Sequence, residues 1–114
     1  KMKKIEATIQ AIKVGAASNA INDLVGGFSI LEGNGRGSGE RQTIRAGRGT
    51  GSFVAEFNKV AVITTIVADS KVKEVISAIE NAVYVGSSGD GIIVVSDVDS
   101  VTNISTKKTD LDAI

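Results

Sequence analysis

The chain has 114 residues, 42% of them hydrophobic, with 13 basic residues balanced by 13 acidic ones and neither His nor Cys. That length fits one domain, residues 1–114, with a modest core, and the balanced charge gives no general attraction to nucleic acid or to a membrane surface. Without His and Cys there are no disulfides, thiol nucleophiles, Cys/His zinc sites or histidine-based triads, so no catalytic residue is assigned and the chain is not expected to be an enzyme.

Lys1 ahead of Met2 reads as a remnant in front of the natural start. In MKKIEATIQ, residues 2 to 10, Ile5, Ala7 and Ile9 alternate with Lys4, Glu6 and Thr8, the period of a strand with one buried face. The period then changes: Ala17, Ala20, Ile21, Leu24 and Val25 fall three or four apart, which predicts a helix stopped at Gly26 and Gly27. FSILE, residues 28 to 32, reads as a short second strand.

It runs into GNGRGSGERQTIRAGRGTG, residues 33 to 51, which holds seven of the 13 glycines and all four arginines, Arg36, Arg41, Arg45 and Arg48. Glycine raises the entropic cost of holding one shape, so the stretch is expected to be mobile when unbound, its arginines without partners. Arginine suits planar recognition of carboxylate or phosphate. The residues alone leave two readings open, a solvated linker and a loop that orders on an anion or a partner.

FVAEFNKVAVITTIVA, residues 53 to 68, is β-branched and long, and predicts a third strand. Its apolar run is far shorter than the roughly 20 residues of a membrane-spanning helix, and with no signal peptide visible a cytoplasmic location is expected. DSKVKEVISAIENAV, residues 69 to 83, offers Asp69 and Ser70 as caps and sets Val72, Val75, Ile76, Ile79 and Val83 on one helical face. SSGDG, residues 87 to 91, is a turn, IIVVSDV, residues 92 to 98, a fourth strand, and residues 101–114 a C-terminal ribbon and tail.

Strand, helix, strand, strand, helix, strand is the split βαββαβ arrangement of a ferredoxin-like sandwich, an α+β fold. Two helices cover one face of its sheet. In the third strand Ala61, Ile63, Thr65 and Val67 lie on one side and Val60, Val62, Thr64 and Ile66 on the other, and both sets are largely apolar. A strand apolar on both sides is buried on both, so the open face is expected to meet other copies of the chain.

With these pieces in order, the sequence resembles the PII signal-transduction family along nearly its whole length: MKKIEA at the first strand, FNKV after the long loop, SGDGIIVVSDV at the fourth strand and DAI at the close. The resemblance implies a homotrimer and, in clefts between subunits, an adenine nucleotide (ATP, ADP, AMP or cyclic AMP, cAMP) as effector, with no tightly bound cofactor. It makes residues 33–52 the T-loop that carries the signal to a target, commonly a membrane transporter. Nucleotide contacts are implied at Gly35, Arg36, Gly37 and Ser38, at Lys59, and at Gly89, Asp90 and Gly91. Gly27, Phe28 and Ser29 are implied where a neighbouring subunit meets the adenosine. Arg41, Arg45 and Arg48 are implied as partner-binding, with Arg45 or Arg48 at the place of a loop arginine that enters an ammonium channel.

The stretches GRGSGERQ and GIIVV are similar instead to a divergent PII-like branch associated with bicarbonate transport. Ile92 stands where typical members carry lysine, and Asn103 and Ser105 where they carry arginines, so ATP is expected to gain little over ADP or AMP. Lys107 and Lys108 either replace those cations or are a solvated end. The loop has no clear match to the family's glutamine for magnesium and 2-oxoglutarate, and no tyrosine for modification. Asp97, Asp99, Asp110 and Asp112 lack the spacing of a calcium loop and read as a solvated acidic face, so no metal is assigned. Two alternatives stay beside the regulator: a degenerate PII-like trimer that binds no nucleotide, and a trimer of the CutA type on the same fold.

Overall fold

The alternation at the start of the chain becomes β1 (Met2–Gln10), with Ile5, Ala7 and Ile9 buried. The structure, a computed structural model, describes residues 1–37, 41, 43–45 and 51–114, and of Arg45 the backbone alone. After β1 come α1 (Val14–Ile21), β2 (Ser29–Gly35), β3 (Thr43–Arg45), β4 (Ser52–Val54), β5 (Asn58–Ala68), α2 (Val72–Val83) and β6 (Gly91–Asp97). The main sheet has the order β2-β5-β1-β6 with antiparallel neighbours, the ferredoxin-like arrangement, and β3 and β4 form a separate two-stranded ribbon.

Register decides what each face carries. Ile5 lies opposite Thr65, Ala7 opposite Ile63 and Ile9 opposite Ala61, so one face of the two central strands is closely packed and apolar. Ala17 and Ile21 of α1 and Val75, Ile79 and Val83 of α2 pack on it. Each fully buried Ile or Val contributes about 1.5–3 kcal/mol relative to exposure. Thr65 is the buried polar residue among them, and its Oγ1 donates to the Gly27 carbonyl at 2.6 Å. That bond offsets the desolvation of the hydroxyl and ties the segment after α1 to the sheet.

Lys4, Glu6 and Thr8 of β1, with Val60, Val62, Thr64 and Ile66 of β5, occupy the opposite face, which carries no helix. Leu31 pairs with Val62 there and is 73% exposed, and Ile92 pairs with Thr8 and is 64% exposed.

Several boundaries differ from expectation. The strand expected over 53 to 68 is two: β4 ends at Val54, the chain bends at Glu56 and Phe57, and β5 begins at Asn58. Arg36 causes no local signal yet holds this bend, donating from Nε and Nη2 to the Glu56 carbonyl at 2.9 and 2.6 Å. β2 continues to Gly35, three residues into the glycine-rich stretch, because its partner β5 still offers backbone groups as far as Asn58. The first helix closes at Ile21, where Leu24 N–H bonds back to the Ile21 carbonyl at 2.9 Å in a tighter turn. Asp69 and Ser70 lie in a 3-10 turn before α2 and make no side-chain cap bond. The expected mobility of the arginine-rich stretch falls largely on residues 38–40, 42 and 46–50, outside the described residues.

Candidate functional site

β1 ends at Gln10, opposite Val60 in register, and its Nε2 donates to the Gly89 carbonyl at 3.0 Å. This bond draws the turn before β6 over the end of the sheet. β2 runs along the other edge of β5 and ends at the same end of it, with Gly35 opposite Asn58. Gly35–Gly37 and Gly89 with Gly91 therefore meet around a cavity of about 330 Å³, also lined by Thr8, Asn58, Ser88 and Ile92. That volume matches small-ligand sites, and glycine backbone at both rims lets amide N–H groups approach an anion closely. Arg36 is the one ionisable side chain among the described residues that line it.

Glycine at 91 has a reason apart from any ligand. Its φ is +127°, and a Cβ there would collide with the Thr8 carbonyl oxygen and sit 3.1 Å from Ile9 Cα. At Gly35 a Cβ would come 3.2 Å from Val60 Cγ1, so the Val60 side chain packs over the bare backbone of this glycine.

Asp90 does not line this cavity; it lines a neighbouring apolar one beside α2. Its Oδ2 accepts from the N–H groups of Val85 and Gly86, each at 3.0 Å, and its Oδ1 from Ser87 Oγ at 3.3 Å. These bonds, that from Val85 first, hold its carboxyl below the usual aspartate range. Asp90 thus shapes the turn that presents Gly89. Arg36 also has partners, contrary to the expectation for the loop arginines: besides the Glu56 carbonyl, its guanidinium lies 5.1 Å from the centre of the Phe57 ring, within cation–π range.

Lys59 is exposed between Asn58 and Val60, which line the cavity, and strand alternation sends it to the other side. Arg41 is exposed. Ser38, Arg48 and the side chain of Arg45 lie outside the described residues.

A separate cavity of about 540 Å³ brings Gly27 and Ser29 together with Thr64, Asn103, Thr106 and Lys108. Phe28, between the two, packs against the core instead. The tail folds back because Asn103 Oδ1 accepts from the N–H groups of Ser105 and Thr106 at 3.0 and 3.1 Å, while Lys107 turns the chain at φ 63°. Asn103 N–H then reaches the Lys108 carbonyl at 2.9 Å. Of the two lysines, Lys108 lines this cavity, which Asp112 also borders.

Sequence reasoning missed Gln10, Thr65, Glu56 and Phe57. Gln10 ends the polar side of the β1 alternation, a weak signal, and the others lie in contacts distant along the chain. Among the described residues no group of three acidic, His or Cys side chains is gathered to hold a metal ion, and no helix is long and apolar enough to cross a membrane.

The family model described as "Nitrogen regulatory protein P-II" matches residues 2–108. A protein of that name from Rhizobium meliloti (strain 1021) is 36% identical over 116 residues, covering 99% of this chain and 100% of the relative. One from Synechocystis sp. (strain ATCC 27184 / PCC 6803 / Kazusa) is 35% identical over 114 residues with the same coverage. Among solved structures, GlnK of B. subtilis superposes with a TM-score of 0.76 at 20% identity, covering 99% of this chain and 98% of its own. Arabidopsis thaliana PII bound to citrate gives 0.79 at 22% identity, covering 100% and 92%. These two show the likeness of fold, and the sequence relatives carry the assignment, which favours PII over the CutA-type alternative. The chain belongs to the family of nitrogen regulatory proteins P-II.

Proposed function

We propose that this chain is a single-domain regulatory binding module, not an enzyme, that works as a homotrimer and senses an adenine nucleotide between subunits. The observation that carries the reading is the cavity at the end of β1, where Gly35–Gly37 and Gly89 with Gly91 converge around Arg36, the one cation among the described residues that line it. The second cavity, with Gly27, Ser29 and Lys108, shares no lining residue with the first and supplies the other half of a cleft when a neighbouring copy stands against it. The sheet face that carries no helix, with Leu31 and Ile92 exposed, supports assembly of copies. Lys59, Asp90, Phe28 and Ser38 belong to the proposed site as supporting positions: Asp90 shapes the turn, and Phe28 anchors the segment that carries Gly27 and Ser29.

With Arg36 the one cation among the described residues of the first cavity, the site favours a ligand of low charge, AMP or ADP, over ATP. Citrate bound to the plant relative of like fold supports an anionic effector. The 33–52 loop, through Arg41, Arg45 and Arg48, is the surface for a target, a membrane transporter of ammonium or bicarbonate. Isothermal titration against AMP, ADP, ATP and cyclic AMP tests the nucleotide. Absence of heat with all four favours the second reading, a trimer that has lost the ligand, which the engagement of Arg36 with Glu56 supports. Recovery of a transporter from membranes by the wild-type chain, lost with Arg45→Ala/Arg48→Ala, tests the target.

A further inference from the structure

Arg36 stands at the beginning of the long loop and holds the backbone at its end. Its Nε and Nη2 both donate to the Glu56 carbonyl, its plane lies near Phe57, and the Glu56 carboxylate is 4.0 Å from Nη2. The same side chain is the sole charged group among the described residues lining the 330 Å³ cavity. A phosphate or carboxylate binds a guanidinium by two parallel N–H donors, and such charge-assisted bonds are about twice as strong as those to a neutral carbonyl.

We propose that Arg36 is a competitive clasp: an anion in the cavity lined by Gly35–Gly37, Gly89 and Gly91 takes the guanidinium from Glu56 and Phe57, so that ligand binding and closure of the loop base exclude one another. The inference rests on the anion-binding reading above and adds its direction of coupling. Glu56 and Phe57 are not themselves among the residues that line the cavity, yet through their contacts with Arg36 they set its affinity, because they compete for its cation. Binding therefore frees the bend between β4 and β5.

The test is titration of the full chain with AMP and ADP, with hydrogen exchange at residues 56–58. Phe57→Ala, which removes the ring, and Glu56→Gln, which removes the carboxylate at 4.0 Å but keeps the accepting carbonyl, are both at exposed positions and are expected to bind the nucleotide about two- to five-fold more tightly than wild type, the size of an exposed cation–π contact or surface ion pair. Arg36→Ala is expected to bind at least about tenfold more weakly. In wild type, AMP or ADP should speed exchange at residues 56–58; in Arg36→Ala exchange should already be fast and unchanged by nucleotide. Unchanged or weaker binding by both Glu56→Gln and Phe57→Ala, or slower exchange on ligand addition, would overturn the clasp while leaving the nucleotide reading standing. Wild type that binds neither AMP nor ADP would overturn both.

Discussion

Gln10 Nε2 donates to the carbonyl oxygen of Gly89 at 3.0 Å, joining the last residue of β1 to the turn that precedes β6. The turn's own backbone closure, Asp90 N–H to the Ser87 carbonyl, is longer at 3.3 Å. The side chain of Gln10 therefore ties to the sheet the turn that Asp90 shapes, and sets where Gly89 stands relative to the cavity. Gln10→Ala should lower stability by about 0.5–1.5 kcal/mol, the net worth of one such bond. Urea denaturation measures it, and nucleotide affinity should fall in the same variant because the rim loses its position.

Gly91→Ala should be far more damaging. Its Cβ meets the Thr8 carbonyl oxygen across the β1–β6 pair, and φ +127° is strained for any other residue, by about 1–3 kcal/mol before the collision is counted. The urea midpoint should drop well beyond that of Gln10→Ala. An unchanged midpoint would mean that β6 can shift away from β1 at little cost.

Asp90 gives the chain an acid-sensitive turn. Its folded-state pKa lies below the ordinary 3.8, so its stabilisation is fully present above that value and is lost as pH falls through the depressed folded value. Wild type should exceed Asp90→Asn in stability at neutral pH, and the difference should shrink only below about pH 4. Denaturant melts between pH 2 and 7, with an NMR titration of the Asp90 carboxyl, check the sign. A gap that stays constant down to pH 2 would contradict the hydrogen-bonded carboxylate.

Ile92 lines the cavity between the Gly35–Gly37 stretch and Gly89, exposed, beside Gly91. Ile92→Lys adds a second cation to a wall that holds Arg36, and should raise ATP affinity about tenfold or more while changing AMP little. Equal gains for both nucleotides in titration calorimetry would show that the extra phosphates do not reach β6.

The bare sheet face has its own test. Val62 lies at its middle, beside Leu31 and Thr8 in register, and is only half-buried in one chain. Val62→Asp should leave the helical core intact by circular dichroism but convert the proposed homotrimer to a species of 11.7 kDa in light scattering. A wild-type monomer would remove the need for that face to be covered.

Period was the part of this protein that its sequence determined. Ile5, Ala7 and Ile9 at every second position and Val75, Ile79 and Val83 at every third or fourth specify β1 and α2, because burial on one face of an element repeats with that element's own geometry. The two-sided apolar β5 likewise marked a sheet with an uncovered face. The glycine turn and the loop base were legible as candidates, but not their arrangement. That Gln10 meets Gly89 across 79 residues, that Arg36 reaches Glu56 across 20 and breaks the expected third strand, and that Asp90 turns into its own loop were decided only by the tertiary structure. Such contacts depend on which strand ends the sheet brings side by side, and pairing between distant segments leaves no repeat in either one.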